Sequence, residues 1–203
     1  METISITKGD SRLEILSWIL QARAGDGETR FFMRGLNVEN DGQAQNWVAT
    51  DGRRLHFYRM EDTELFLPLG NARVVSIAKN TLVFTFGDSS MASFPNWKKT
   101  IPTLNGANQF FFDESKAPFI LNRTFGLNRG KLDVLTAELA FTIVDIYRIT
   151  NRTINGTYLL PLSGKAWVVF GARDGEGALE FQCGPYTVVI MPLRSNDLKV
   201  SNG

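Results

Sequence analysis

Two side chains suited to covalent or metal chemistry occur once each in this chain of 203 residues: His56 and Cys183. A catalytic Ser-His-Asp or Cys-His arrangement would have to include His56, and a zinc site needs about four ligands of these types. His56 lies within residues 54–58, whose composition is typical of a strand, and we expect its imidazole on the solvent face. The sequence therefore predicts no nucleophilic catalytic centre, no zinc site and no disulfide within the chain.

Loops that hold phosphate-bearing cofactors are also missing from the sequence. Neither the Walker pattern nor the glycine-rich dinucleotide pattern occurs. The acidic residues are scattered, so no pair of carboxylates stands out for acid–base chemistry. We expect a protein that is not an enzyme and that uses no metal or cofactor; an enzyme built on paired carboxylates remains the alternative.

Composition is typical of a soluble globular protein. Hydrophobic residues make up 43% of the chain and charged residues 21%, with 15 Phe and 4 Trp to fill a core. No segment approaches the roughly 20 apolar residues that span a bilayer, and residues 1–5 lack the features of a secretion signal. We therefore expect a cytoplasmic protein without a membrane partner. The net charge of +1 is low for a protein whose affinity rests on many phosphate contacts.

One clear helix is expected near the start of the chain. Asp10 or Ser11 caps it, and Glu14 follows Ser11 at the spacing of a capping box. Apolar residues then recur at helical spacing, namely Leu13, Ile15, Leu16, Ile19 and Leu20. Trp18 lies beside this stripe, and we expect it in the core.

Strand patterns dominate the rest of the chain, which gives an α+β fold made mostly of antiparallel sheet. In the first half they cover residues 2–7, 30–38, 45–49, 54–60, 73–77 and 81–86, with turns at Asn40-Asp41-Gly42 and Lys79-Asn80. In the second half they cover residues 108–112, 131–136, 141–150, 166–170, 178–182 and 187–191. A helix over residues 114–122 would contain Pro118, at a cost of about 3 kcal/mol, so it is weak or absent.

A short internal repeat divides the chain into two units. Residues 67–70, Leu-Pro-Leu-Gly, and residues 160–163, Leu-Pro-Leu-Ser, are each followed by two strands. Residues 102–106 carry Pro, Asn and Gly, which suit a linker.

Three segments resemble, in the same order, segments of the bacterial DNA polymerase III beta subunit, the sliding clamp. Residues 47–55 are similar to the clamp's Val-Ala-Thr-Asp-Gly-His-Arg-Leu, with Arg53 in place of His. Residues 94–102 are similar to Phe-Pro-Asp-Tyr-Arg-Arg-Val-Leu-Pro, and residues 188–194 to Val-Val-Met-Pro-Met-Arg. Residues 29–35 add a softer match at the right distance upstream.

The resemblance implies two clamp-like domains and a polar tail. Residues 1–102 resemble the clamp's second domain and residues 107–195 its third, followed by the tail at residues 196–203. Clamps close a ring of six domains around DNA, so three chains of two domains could do the same. The clamp also has a second helix in each domain, which lines the hole. Only residues 70–72 and 163–165 are available for it here, so we expect it to be shortened or lost.

The resemblance further implies a DNA replication accessory protein, a processivity factor. Such a protein binds short Leu- and Phe-containing peptides of polymerases and other replication and repair proteins in an inter-domain pocket. The positions that match this pocket are Met33, Thr50, Gly52, Arg53, Arg54, Leu55, Pro95, Lys99, Thr100, Val189, Met191, Pro192, Leu193 and Arg194. The alternative is that residues 188–193 form no more than the last strand of a sheet.

Double-stranded DNA is the second partner that the resemblance implies. The candidate contacts are Arg12 and Arg23 on the first helix, with Lys98 and Lys99. The alternative is a peptide-binding module of clamp fold that forms no ring and does not bind DNA. The near-neutral charge and the shortened helices favour that alternative.

Overall fold

A computed structural model describes residues 1–87, 93–101, 158, 168–171 and 177–192. These residues belong to two compact units. The first holds the described residues within Met1–Lys99 together with Gly184–Val189, and the second holds those within Thr100–Cys183 together with Ile190 and its successors. The linker, the strands expected within residues 108–150, the weak helix and the polar tail lie outside the described residues. Among the described helices, none is both long and apolar enough to cross a membrane.

Antiparallel strands form most of the described structure, as the sequence predicts. They are β1 (Glu2–Thr7), β2 (Leu36–Asn40), β3 (Gln45–Thr50), β4 (Arg54–Met60), β5 (Gly70–Ala78), β6 (Thr81–Phe86), β7 (Val168–Gly171), β8 (Leu179–Cys183) and β9 (Tyr186–Ile190). In the first unit the strand order is β1-β6-β5-β2-β3-β4-β9. In the second unit β7 pairs antiparallel with β8.

The predicted helix is confirmed as α1 (Arg12–Ile19), and a 3₁₀ turn, Leu20–Ala22, follows it. Of the two capping residues considered, Asp10 acts through its side chain, because its Oδ1 accepts the Arg12 backbone N–H at 2.9 Å. Ser11 makes no side-chain cap, so the expected capping box does not form. Leu16, Trp18 and Ile19 are buried, which confirms Trp18 as a core residue.

Both predicted hairpins form. Asn40 pairs with Gln45 across the first turn, where Gly42 has a φ of 94° that a residue with a side chain rarely adopts. Asp41 Oδ1 accepts the backbone N–H groups of Gln43 and Ala44, at 3.1 and 3.0 Å. Ala78 pairs with Thr81 across the two-residue turn of the second hairpin.

The strand expected over residues 30–38 is wrong in its first half. Phe31–Arg34 is a 3₁₀ turn, and β2 begins only at Leu36. A strand with three apolar residues in a row places apolar side chains on both of its faces, which requires both faces to be buried. The turn buries Met33 and leaves Phe31 62% exposed. The Ala24 backbone N–H donates to the Met33 carbonyl at 2.8 Å, which fixes the turn against the segment after α1.

The expectation that His56 faces solvent is also wrong. His56 lies on β4 as predicted, but it is completely buried. Its ring stacks on Trp18 with centroids 4.6 Å apart, and its Nδ1 lies 3.1 Å from the Trp18 carbonyl oxygen. Its Nε2 is buried without a hydrogen-bond partner in the described part of the chain. Helix α1 covers this face of β4, which a strand pattern alone does not reveal.

Strand β9 joins the first unit through aromatic contacts. Tyr186 meets Trp18 edge-on at 5.0 Å and Tyr58 edge-on at 4.8 Å between ring centroids. The Arg59 backbone N–H donates to the Pro185 carbonyl at 3.0 Å. Residues 184–189, which are distant in sequence, thereby belong to the same compact unit as the first 99 residues.

The side chain of Gln45 fixes the connection between β4 and β5. Its Nε2 donates to the Leu67 carbonyl at 2.7 Å, and its Oε1 accepts the Leu67 N–H and the Trp47 indole N–H, both at 2.9 Å. β5 starts at Gly70, so no helix fits between Leu67 and β5. The connection between β4 and β5 contains only a 3₁₀ turn, Thr63–Leu65, in agreement with the shortened second helix expected for the first unit. The equivalent stretch at residues 163–165 lies outside the described residues.

Replacing Gln45 with Leu should lower the free energy of unfolding by about 3 kcal/mol, because the change leaves three buried backbone and indole groups without hydrogen bonds. Urea denaturation followed by tryptophan fluorescence measures the effect. The control is Gln43→Leu, in the exposed turn, which should change stability by less than about 0.5 kcal/mol. Equal effects of the two changes would contradict the assigned role of Gln45.

Acidification should destabilise the fold through His56. Burial holds the pKa of His56 at about 3, because the charged imidazolium cannot be solvated, and the nearby Arg54 acts in the same direction. The unfolded chain takes up a proton near its ordinary pKa of about 6.5 whereas the folded chain does not. Stability should therefore fall by about 2 kcal/mol between about pH 7 and pH 5.

Chemical denaturation at a series of pH values checks this slope, with His56→Phe as the comparison. Phe keeps a ring against Trp18 but cannot titrate, so the slope in this range should disappear. Carboxylates with lowered pKa values, such as Glu28 at about 2, lose their contribution only at more acidic pH. A slope that persists in His56→Phe would show that another group is responsible.

Candidate functional site

The turn between β3 and β4 is the centre of the candidate site. Asp51 Oδ1 accepts the backbone N–H groups of Arg53 and Arg54, at 2.9 and 3.0 Å. Gly52 occupies the tip with a φ of 85°, which favours glycine. The Asp51 side chain therefore closes the turn locally, as expected for Asp-Gly turns.

The Thr50 hydroxyl stabilises the same turn from the end of β3. It donates to the Arg54 carbonyl at 2.7 Å and accepts the Gly52 N–H at 3.0 Å. A side chain at Gly52 would begin 3.5 Å from Met33 Cε and 3.7 Å from an Arg30 nitrogen. Because Gly52 has no side chain, the backbone at the tip of the turn is uncovered next to the Met33 methyl group and the Arg30 guanidinium group.

Arg54 has a structural role in this arrangement. Its Nε donates to Asp51 Oδ2 at 3.1 Å, and one of its terminal nitrogens donates to the Gln21 carbonyl after α1. The side chain thus ties the turn to the end of the helical segment. Arg53, by contrast, is exposed at the tip and makes no ion pair with a described residue.

Burial separates the predicted site residues of the first unit into a floor and a rim. Three apolar residues, Met33, Leu55 and Val189, and the hydrogen-bonded Thr50 are between 2 and 6% exposed; we call these four buried residues the floor. The rim consists of exposed residues, namely Gly52, Arg53, Pro95 and Lys99. Buried apolar residues next to exposed basic residues are typical of sites that bind the apolar side chains of a peptide.

The Phe-Pro-Asn-Trp segment is anchored to the first unit by its aromatic residues. Trp97 is buried, and its ring centroid lies 4.9 Å from that of Phe57 on β4. Phe94 meets Phe32 edge-on at 6.3 Å. These two contacts flank Pro95 and hold it at the surface of the unit.

The predicted site residues of the second unit are only partly described. Thr100 and Met191 are exposed, Met191 by 41%, and Pro192 is half-buried. Leu193 and Arg194 lie outside the described residues. The structure therefore describes twelve of the fourteen predicted positions.

Three of the four candidate DNA contacts are paired with carboxylates. Arg12 lies 2.7 Å from Asp10 and its hydrogen bonds lower the pKa of that carboxyl group. Arg23 lies 3.2 Å from Asp26. Lys98 lies 3.2 Å from Glu39, which leaves Lys99 as the exposed member without an ion pair to a described residue.

The exposed face of α1 adds no positive charge. Glu14 and Ser17 are its exposed residues, and the exposed Gln21 follows in the 3₁₀ turn. In the described residues this face is therefore neutral to acidic. Such a face gives little attraction to phosphates.

Two residues near the site escaped the sequence analysis. Arg30 borders Gly52 and pairs with Glu28 at 2.8 Å, while Phe31 is exposed with the Arg34 guanidinium 4.8 Å from its ring centroid. Both lie in the segment that matched the clamp weakly. The sequence predicted a strand for this segment, and in a strand Arg30 and Phe31 would point to opposite faces, so no common role near the turn was expected for them.

No group of three or more potential metal ligands occurs among the described residues.

Searches with the sequence and with the structure gave different results. No model of a protein family matches the sequence, and no curated protein matches it either. The structure matches that of DNA polymerase III beta subunit from Thermotoga maritima, with a TM-score of 0.53 and 13% identity. It also matches a Pseudomonas aeruginosa sliding clamp bound to griselimycin, with a TM-score of 0.52 and 15% identity.

A third match is the Helicobacter pylori beta clamp bound to a DNA ligase peptide, with a TM-score of 0.51 and 11% identity. Each match covers 95% of this chain and 65% of the clamp chain, so this protein spans about two thirds of a clamp's length. At such low identity the matches establish the fold. The chain has the fold of the bacterial DNA polymerase III beta sliding clamps in a shortened form, as its sequence segments predict.

Proposed function

We propose that this protein is a sliding-clamp-like accessory of DNA replication that binds short peptides of partner proteins at the surface around the Asp51–Arg54 turn. The observation that carries the proposal is the meeting of distant segments in the first unit. β9, from the end of the chain, is a neighbour of β4, which begins at Arg54 directly after the turn.

The direction of β9 supports this location. Arg59 contacts Pro185, and Tyr58 contacts Tyr186, so residue numbers rise along one strand as they fall along the other. This antiparallel sense directs the end of β9, with Val189, toward the start of β4, with Leu55. Both side chains are buried, and they supply the apolar floor of the proposed surface.

The chemistry of the surface suits a peptide with Leu or Phe side chains. Such a side chain would remove its apolar area from water against the floor near Met33, and the open backbone of Gly52 leaves room for close approach. Arg53 and Lys99 on the rim would bind carbonyl or carboxylate oxygens of the peptide. The Helicobacter pylori clamp, which shares the fold, is bound to a DNA ligase peptide.

The proposal predicts how single substitutions change peptide affinity. A fluorescein-labelled copy of that DNA ligase peptide should bind, and Met191→Glu and Arg53→Glu should each raise its Kd at least about tenfold. Glu at Met191 puts a charge beside apolar ligand groups, and Glu at Arg53 reverses the rim charge. Fluorescence anisotropy measures both changes.

Gln43→Glu serves as the control, because it alters charge in an exposed turn that the proposed site does not include. Its Kd should equal that of the unmodified protein. Saturable binding that none of the site substitutions weakens would place the peptide elsewhere and overturn the proposal.

A second candidate, a peptide-binding module that does not bind DNA, is favoured by the paired cations. Three of the four candidate DNA contacts already have a carboxylate within 3.2 Å. Binding to phosphates would have to compete with these pairs. The first unit also lacks the second helix that the resemblance places against DNA.

This candidate predicts weak DNA binding and no ring. In low salt, at about 50 mM, a nicked circular duplex should not be retained by the protein, and light scattering should give the mass of a single chain of 22.7 kDa. Both measurements should hold over a wide range of protein concentration. A particle with the mass of three chains that retains circular but not linear DNA would instead establish a ring.

A further inference from the structure

The outer half of β5 is an open sheet edge in the described part of the first unit. On one side, β6 pairs with β5 from Ala72 to Ala78. On the other side, β2 pairs only with residues 70–72. Residues 73–78 therefore have a neighbouring strand on a single side among the described residues.

The 3₁₀ turn before β2 explains why the edge opens. β2 starts at Leu36, opposite Ala72, and the chain before it turns away as Phe31–Arg34. Gly35 marks the point of departure: a Cβ there would lie 2.1 Å from the Ala72 carbonyl oxygen. Only glycine fits so close to the backbone of Ala72, and the Phe31–Arg34 turn that precedes it does not continue the pairing along β5.

Apolar side chains are exposed along this edge. Val75 is 57% exposed and Ile77 is 50% exposed, although both lie within a strand. Ile77 is paired with Leu82, which is buried, so Ile77 lies on the face of the sheet that carries the core. An added strand would cover Ile77 and extend the core beyond its present limit.

Backbone groups on the edge are available for pairing. In a two-residue hairpin the closing pair, here Ala78 and Thr81, is hydrogen-bonded, and hydrogen-bonded pairs alternate with non-bonded ones. Ile77 therefore directs its N–H and C=O away from β6. The register shift between Val74 and Ser76 bends the strand but leaves these groups accessible.

The charged residues beside the edge of β5 limit which strand can pair with it. Residues 70–86 contain Arg73 and Lys79 and not a single Asp or Glu. Neither cation forms an ion pair with a described residue. A second copy of β5 in antiparallel pairing would bring Arg73 of one chain near Lys79 of the other, and this like-charge contact opposes self-pairing. Lysine on an edge protects against self-association in the same way.

We propose that residues 73–78 bind an extended segment of a partner protein by strand addition, and that this segment has apolar residues in its middle and an acidic residue at each end. Strand addition provides main-chain hydrogen bonds, while the side chains beside the edge select the sequence. Arg73 and Lys79 would pair with the two acidic ends. The site is distinct from the Asp51–Arg54 turn and does not depend on the function proposed there.

The test uses two synthetic peptides, acetyl-Glu-Val-Thr-Ile-Thr-Val-Glu-amide and its counterpart with Lys in place of both Glu. The ¹⁵N-labelled full chain is titrated with each peptide and followed by NMR. The acidic peptide should shift the amide signals of β5 and slow hydrogen exchange at Ile77. The double variant Arg73→Glu/Lys79→Glu should weaken it at least about tenfold and should gain affinity for the basic peptide.

The same spectra separate this proposal from its competitors. Met191→Glu, which should weaken peptide binding at the other proposed site, should leave binding of the acidic peptide unchanged. Equal binding of both peptides, shifts outside β5, or no shifts at saturating peptide would each overturn the proposal. So would β5 shifts that grow with protein concentration alone, which would identify a second copy as the occupant, or β5 shifts caused by a short DNA duplex.

Discussion

The packing of Tyr186 against Trp18 and Tyr58 is the interaction on which the first unit depends. It joins helix α1, strand β4 and a strand that is distant in sequence, β9. Aromatic rings bury large apolar areas in fixed geometries, so this contact contributes both stability and orientation. Because β9 is a neighbour of β4, the floor residue Val189 belongs to the unit that carries the Asp51–Arg54 turn. The candidate surface is thus a consequence of long-range packing as much as of the turn itself.

Local patterns predict the parts of this fold whose causes are local. The hairpin turns at Gly42 and at Lys79-Asn80 follow from residue types that tolerate tight turns, and helix α1 follows from its apolar spacing. Local patterns predict a strand at Phe31–Arg34, where the structure has a 3₁₀ turn, because the burial of Met33 depends on residues that are distant in sequence. The prediction that His56 faces solvent was wrong for a related reason. A strand pattern shows that the strand has two faces but not which of them a helix covers.

The candidate site shows the same division between local and tertiary information. Sequence similarity gathered the turn, the Phe-Pro-Asn-Trp segment and the last strand, and the described residues place Gly52, Pro95 and Val189 in the first unit. Sequence similarity did not indicate that the Arg54 side chain donates hydrogen bonds to Asp51 and to the Gln21 carbonyl. Ion pairs of this kind join residues whose spacing carries no periodic signal, so only the folded structure identifies them. For the same reason, Arg30 became visible only as a neighbour of Gly52.

The paired cations and the buried residues bear differently on the two proposed partners. Arg12 and Arg23 are paired with carboxylates, and this pairing reduces the attraction that they offer to phosphates. A peptide site acts through an apolar floor, which the core must keep in order to fold. Met33, Leu55 and Val189 are buried whether or not a ligand is bound, so the apolar part of the proposed peptide site is provided by the folded core itself. Ile77 is different, because it is 50% exposed on the open edge of β5, and only an added strand of the kind proposed for that edge would cover it.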